Sequence, residues 1–121
     1  MAIKKVSQQV IKEDIWHEVG TAGEPAFANS WVNYSTAYNS CAFMKDALGF
    51  VHLKGLMKSG TVGLAAFTLP AGYRPIKGNI FASNGAGAYA SVYVNTTGTV
   101  VPTVGNNGFI AIDGMTFRAE L

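Results

Sequence analysis

The chain has 121 residues, a length typical of one domain with its own hydrophobic core. Only 13% of the residues are charged, against roughly 25% in an average soluble domain, and the net charge of +2 comes without a basic stripe, so no nucleic-acid partner is expected. No apolar run approaches the roughly 20 residues of a membrane-spanning helix, so no membrane insertion is expected. The single cysteine, Cys41, excludes an intrachain disulfide and is typical of synthesis in a reducing cytoplasm.

With so few charged residues, the surface of the domain must be covered in another way. Either Asn, Ser, Thr and Gly cover most of it, or part of it is buried against other chains. We expect burial in a symmetric homo-oligomer, because most soluble oligomers hide such surface. The alternative is a monomer with a neutral polar surface.

Residues 1–15 differ in composition from the rest of the chain. They include five charged residues and no Gly or Pro. Ile3, Val6 and Val10 follow the 3-then-4 spacing of one helical heptad. We predict an N-terminal neck or tether over 1–15, in which a coiled-coil end, a lone helix and a plain tether remain open, and a separate domain over 16–121.

The second segment reads as β-structure. All fourteen glycines and all four prolines follow residue 15, and short apolar runs alternate with turn signals. The predicted strands cover residues 42–46, 50–57, 62–69, 76–82, 89–95, 99–104, 109–113 and 115–118. Eight or so short strands without a convincing helix predict an all-β, antiparallel β-sandwich or jelly-roll-like fold.

Two stretches carry more detailed expectations. In 50–57, Val51, Leu53 and Met57 share one predicted face, and His52 and Lys54 share the other. Gly49 and Gly60 are expected to serve turns that need a positive φ.

The second stretch is the loop from Leu69 to Pro75. Pro70 is expected to end a strand, and Tyr73 to cover a sheet edge. Arg74 is expected to pair with a carboxylate such as Asp46 or Asp113.

Several motifs together resemble one known family. They are Trp31-Val-Asn, Ala42-Phe-Met-Lys-Asp46, Gly49-Phe-Val-His-Leu-Lys-Gly55, Gly60-Thr61, Leu69-Pro-Ala-Gly-Tyr-Arg-Pro75 and Ile112-Asp-Gly-Met-Thr-Phe117. Over residues 16–121 this pattern resembles the C-terminal domain of tailed-bacteriophage fibre and receptor-binding proteins. The resemblance implies a small β-sandwich, usually trimeric, at a fibre tip or virion surface, with roles in trimer closure and attachment to host-surface saccharide. It transfers no catalytic motif and no binding residue.

Residues suited to catalysis or metal binding do not form a recognised pattern. His17 and Glu18 lie near Asp14, but their spacing matches no zinc motif. An Asp46/Asp113 pair would suit a glycosidase, yet each residue lies in a turn signal, which is a structural use. We therefore expect no catalytic residue, no metal and no cofactor, and we expect Cys41 to be a small buried side chain.

Saccharide binding calls for aromatic faces beside polar groups. The strand 89–95 places Tyr89, Ser91, Tyr93 and Asn95 on one face. A second group holds Trp31 and Asn33, with Tyr34, Tyr38 and Asn39 close by in sequence. The polar loop tips 84–88 and 106–108 are further candidates, although connection alone would explain them.

These observations predict a non-enzymatic bacteriophage virion protein, made in the host cytoplasm. It would form a homotrimer, contact other virion proteins and attach to a host-surface saccharide. The alternatives are a fibre-assembly or decoration domain without a ligand, a bacterial carbohydrate-binding module, and a small glycan hydrolase.

Overall fold

The computed structural model describes residues 14–120, which form eleven β-strands and no helix. The strands are β1 (His17–Glu18), β2 (Val32–Asn33), β3 (Ala42–Lys45), β4 (Phe50–Lys54), β5 (Leu56–Lys58), β6 (Phe67–Thr68), β7 (Asn79–Gly85), β8 (Ala88–Val94), β9 (Thr99–Val104), β10 (Ile110–Ala111) and β11 (Thr116–Arg118). The prediction of an all-β antiparallel fold is confirmed. Residues 1–13 of the neck predicted over 1–15 lie outside the described residues. Asp14, which is described, contacts His17 and Tyr73 of the sandwich.

The strands form two layers. One layer joins a sheet of order β1-β3-β4-β11 to a sheet of order β10-β5-β2. The two sheets are continuous, because β10 and β11 run antiparallel beside β5 and β4, and the Ile112 amide donates to the Gly55 carbonyl at 2.8 Å between them. The other layer is a sheet of order β6-β9-β8-β7.

The second layer has Greek-key connectivity. β7, β8 and β9 follow one another as hairpins, and β6 lies beside β9. The long connection is therefore the loop from Leu69 to Gly78, which contains the Pro-Ala-Gly-Tyr-Arg-Pro motif.

The core lies between the layers and follows the strand alternation. Val51 and Leu53 on β4 are buried, whereas His52 and Lys54 are half-exposed, as predicted. Val92 and Val94 on β8 face them from the second layer. The fully buried large side chains are Trp31, Phe43, Phe67, Leu53, Met57, Leu69, Ile110, Ile112, Val51, Val92, Val94 and Val100.

Several predicted strand bounds need correction. The run 62–69 forms a strand only at β6, because Gly63 and Leu64 lie in a turn held by the Pro102 and Thr61 carbonyls. The run 50–57 is interrupted at Gly55, whose φ is +126°. The strand predicted at 76–82 begins at residue 79 instead.

Two turn glycines have different roles. Gly49 adopts the predicted positive φ of +90°. The prediction for Gly60 was wrong, since the left-handed residue is Ser59, with φ +71°. Gly60 is required because a Cβ there would overlap the indole ring of Trp31.

The loop between β6 and β7 closes on itself. Arg74 Nε donates to the Leu69 carbonyl at 2.9 Å, so the ion pair predicted with Asp46 or Asp113 is absent from the described residues. Tyr73 packs edge-on against Phe43 with ring centroids 5.2 Å apart, as predicted for a residue covering the sheet.

Candidate functional site

The two site residues predicted near β2 take part in the fold, with Trp31 buried and Asn33 half-buried. Trp31 is 1% exposed and packs in the core, so it presents no ring face to a ligand in this structure. The side chain of Asn33 accepts a hydrogen bond from the Cys41 amide at 2.8 Å, which joins β2 to the start of β3. Burial and backbone bonding give both residues structural roles.

The predicted set on β8 shares one strand face but does not meet at one place. Register pairs Tyr89 with Asn84 and Tyr93 with Ile80, across the surface that faces away from the core. Tyr89 is 63% exposed, whereas Ser91 is only 6% exposed. Asn95 lies in the turn after β8, roughly 20 Å along the strand from Tyr89. Ligand binding by these residues stays a prediction.

The outer surface of the β6-β9-β8-β7 sheet is free of charge. The chain has no charged residue between Lys77 and Asp113, which includes all of β7, β8 and β9. Large apolar side chains are nevertheless exposed there, at Ile80 (74%), Tyr89 (63%) and Val104 (47%). We call this surface the uncharged face.

A second aromatic group lies where three loops meet, at one end of the sandwich. Tyr34 is its centre, with ring centroids 5.6 Å from Tyr38 and 5.2 Å from Phe109. Lys58 Nζ lies 5.8 Å from the centroid of the Tyr34 ring. Tyr38 is 55% exposed. We call this group and the adjoining asparagines Asn84, Asn106 and Asn107 the loop end.

Hydrogen bonds to backbone atoms hold the asparagines of the loop end in place. Asn107 Nδ2 donates to the Gly60 carbonyl at 3.1 Å, and the Ser59 amide donates to the Asn107 carbonyl. Asn106 Nδ2 donates to the Gly85 carbonyl at 3.1 Å. These bonds tie the 105–109 loop both to the end of β5 and to the β7–β8 hairpin.

The loop end offers the groups that recognise a polar, uncharged ligand. A tyrosine ring can stack on the C–H face of a sugar, and amides and an ammonium can bond to its hydroxyls. Tyr34, Tyr38 and both loop tips were candidates from the sequence, but Lys58 and Phe109 were not. Both missed residues border the predicted loop tips or turns, and only the pairing of β5 with β10 brings them to Tyr34.

The loop end lies away from the place where the N-terminal segment reaches the domain. His17 pairs with Phe43 and Glu18 with Ala42, so residues 14–16 lie toward the β3–β4 turn. Lys58 and Ser59 lie beyond the opposite end of β4 and β5. A ligand at the loop end would therefore lie away from residues 14–16.

A carboxylate, an imidazole and a hydroxyl form a row on the exposed side of β4. Asp46 Oδ2 lies 2.8 Å from His52 Nε2, and His52 Nδ1 lies 3.2 Å from Thr116 Oγ1. The other oxygen of Asp46 accepts from the amides of Leu48 and Phe50, which closes the β3–β4 turn. The hydrogen bond from His52, followed by that from Phe50, lowers the pKa of Asp46. Asp46 therefore has a structural role in the β3–β4 turn, as the sequence predicted.

Other kinds of site are absent from the described residues. Within 14–120, no group of three or more His, Cys, Asp or Glu side chains is placed to hold a metal ion. The same range forms no pocket, so the loop end is defined by exposed side chains rather than by a cavity. No helix in the described part of the chain is long and apolar enough to cross a membrane.

The fold is similar to that of a solved phage protein. The crystal structure of the receptor binding protein (gp15) of Listeria phage PSA superposes with a TM-score of 0.71, covering 99% of this chain and 73% of that chain. Sequence identity is 13%, so the likeness shows the fold alone. No protein-family model matches the sequence. No curated protein matches it either.

Proposed function

We propose that this protein is a bacteriophage virion component whose β-sandwich attaches to a saccharide on the host surface. The observation that carries the proposal is the fold shared with a phage receptor binding protein over 99% of this chain. The motifs from Trp31 to Phe117 that resemble phage attachment domains support it independently of the fold.

The loop end is the saccharide site in this proposal. It combines an exposed tyrosine, neighbouring aromatic rings, loop amides and Lys58. It also faces away from residues 14–16, as an attachment site should if the chain before them leads to the rest of the virion. Tyr89 lies beside it, next to Asn84 across the β7–β8 hairpin.

Homotrimer formation belongs to the same proposal. The uncharged face exposes Ile80 and Val104 and carries no charge, so three copies can bury it around a threefold axis at little electrostatic cost. Other virion proteins are the further partners. The protein acts by binding and not by catalysis.

Binding to a panel of purified bacterial surface polysaccharides tests the site. Tyr38→Ala removes the exposed ring of the loop end, and we expect affinity for the bound glycan to fall about tenfold. Leu48→Ala is the matched control, because Leu48 is 74% exposed on the β3–β4 turn at the other end of the sandwich. Equal affinity of both variants and the unchanged protein would exclude the loop end as the binding site.

Glycan binding, together with three further measurements, distinguishes the alternatives. A decoration or assembly domain would be found on virions by antibody labelling, yet would bind neither glycans nor cells in a saturable way. A carbohydrate-binding module would bind glycan as a monomer. A hydrolase would release reducing ends and lose that activity in Asp46→Asn or Asp113→Asn.

A further inference from the structure

His17 is held between two carboxylates at the start of the domain. Its Nδ1 lies 2.9 Å from Glu24 Oε2, and its Nε2 lies 3.0 and 3.1 Å from the two oxygens of Asp14. Only 18% of the His17 side chain is exposed. The imidazole ring stacks on Phe43 with centroids 5.2 Å apart.

This geometry favours the protonated form of the imidazole. A carboxylate oxygen only accepts hydrogen bonds, so both ring nitrogens must donate, and only the protonated ring has two N–H groups. Tyr73 cannot supply a proton to Nε2, although its hydroxyl lies 3.0 Å away, because it donates to Asp14 Oδ2 at 2.5 Å. A neutral His17 would set a lone pair against one of the carboxylates.

The cluster joins the residues around β1 to a loop almost 60 residues further along the chain. Asp14 precedes β1, Glu24 lies in the loop after it, and Tyr73 belongs to the β6–β7 connection. The other charged groups nearby are Lys45 on β3, whose Nζ lies 5.1 Å from the Tyr73 ring centroid, and Glu120, which accepts from the Gly72 amide. Lys45 also donates to the Gly72 carbonyl at 2.8 Å. Lys45 and Glu120 therefore hold the β6–β7 loop, whereas Tyr73 and His17 hold Asp14.

We propose that Asp14, His17, Glu24 and Tyr73 form a pH-dependent latch that holds residues 14–16 against the β6–β7 loop. The latch is closed when His17 carries its proton and the two carboxylates are ionised. Loss of the His17 proton breaks the bridge between Asp14 and Glu24. Residues 14–17 are then free to leave Tyr73, and the direction in which the chain reaches the sandwich is no longer fixed.

The pKa values of His17 and Asp14 set the upper and lower limits of the pH range in which the latch is closed. Burial lowers the pKa of His17, but hydrogen bonds to Glu24 and then Asp14 outweigh it and raise that pKa above 6.5. The stabilisation from His17 is thus complete below about pH 6.5 and is lost as pH rises through the raised value. Burial raises the pKa of Asp14, but the bonds from Tyr73, the Ile15 amide and His17 lower it below 3.8, so its stabilisation is lost only as pH falls through that lowered value.

Titration of the two imidazoles by NMR tests the bridge. The chain has only two histidines, so His52 serves as an internal reference within the same protein. We expect His17 to titrate above the ordinary histidine value, and Asp14→Asn or Glu24→Gln to lower its midpoint. A His17 midpoint at or below 6.5 in the unchanged protein would overturn the proposal.

Amide hydrogen exchange tests whether the latch opens. After correction for intrinsic exchange, we expect protection at residues 15–19 to fall about three- to tenfold as pH rises through the His17 midpoint, the range for one net hydrogen bond. His17→Gln should abolish this pH response, and His52→Gln should preserve it. A response that survives His17→Gln, or none in the unchanged protein, would exclude the latch. Neither measurement depends on saccharide binding, so failure here leaves the proposed attachment function standing.

Discussion

Gly60 is a glycine because the indole of Trp31 occupies the space that a side chain would need. Trp31 is 1% exposed, so the ring cannot move outward without opening the core. The left-handed backbone expected at Gly60 belongs to Ser59 instead. Packing, and not φ, therefore sets the residue at position 60.

Gly60→Ala should lower the free energy of unfolding by about 1–3 kcal/mol, because the added methyl group overpacks a filled core. Urea denaturation followed by tryptophan fluorescence would measure this loss. Ser59→Ala is the control, since Ser59 is exposed and its change should stay within about 0.5 kcal/mol. Equal stability of Gly60→Ala and the unchanged protein would contradict the packing argument.

Cys41 is the other residue whose chemistry follows from its surroundings. Burial, followed by the negative charge of Asp113, raises the pKa of the Cys41 thiol to about 12. At pH 8 the reactive thiolate is then roughly one part in ten thousand. We expect no reaction of the folded protein with a disulfide reagent such as dithionitrobenzoate, and release of one equivalent after unfolding in guanidinium. Fast reaction of the folded protein would show that the thiol is accessible.

At the scale of elements, the bend between β4 and β5 depends on one carboxylate. Asp113 Oδ1 accepts from the Gly55 amide at 2.7 Å and from Asn39 Nδ2 at 3.3 Å. Gly55 has left the regular strand conformation, and its amide is satisfied by this side chain. The β10–β11 junction thereby holds the two halves of the first layer in register.

Asp113→Ala should destabilise the domain by about 1–3 kcal/mol, because the Gly55 amide then has no acceptor in a buried position. Asp113→Asn retains a carbonyl oxygen at the same place and should cost clearly less. Thermal or urea unfolding of the two variants side by side would measure both effects. If the asparagine variant were as unstable as the alanine variant, the negative charge and not the hydrogen bond would be the stabilising feature.

The strands differ in how well the sequence predicts them. β9 was predicted with its observed bounds, and β8 to within one residue, because alternation over six or seven residues is a strong local signal. β1 and β2 were missed because each has two residues and exists only through its partner, β3 or β5. The strands predicted over 62–69 and 50–57 were too long. Hydrogen bonds of a turn at Gly63 and Leu64 shorten the first, and a bend at Gly55 ends the second.

At the scale of the whole molecule, the low share of charged residues predicts that part of the surface is buried against other chains. The uncharged face exposes Ile80, Tyr89 and Val104 on one side of one sheet. It gives the proposed trimer a specific contact that substitution can test.

Light scattering after size exclusion should give a mass of three chains for the unchanged protein. Ile80→Lys places a charge in the proposed contact and should shift the protein to the monomer mass, because burying an unpaired ammonium is costly. Leu48→Lys is the matched control, as Leu48 and Ile80 are both 74% exposed and only Ile80 lies on the uncharged face. A monomeric unchanged protein, or a trimer that persists in Ile80→Lys, would rule out this contact.

The sequence by itself determined the all-β class, the β3–β4 turn, the burial of Cys41 and the alternating faces of the longer strands. Each of these depends on residues close together in the chain, where side-chain period and turn chemistry act. Only the tertiary structure decided that Trp31 packs on Gly60, that Arg74 bonds to Leu69, and that Tyr34 meets Phe109 at the loop end. It also placed His17 between Asp14 and Glu24 under Tyr73. The contacts of Trp31, Tyr34 and Tyr73 join segments separated by long stretches of chain, so they depend on how the two layers pack. The contacts of Arg74 and His17 are closer in sequence but depend on loop closure, which no local pattern specifies.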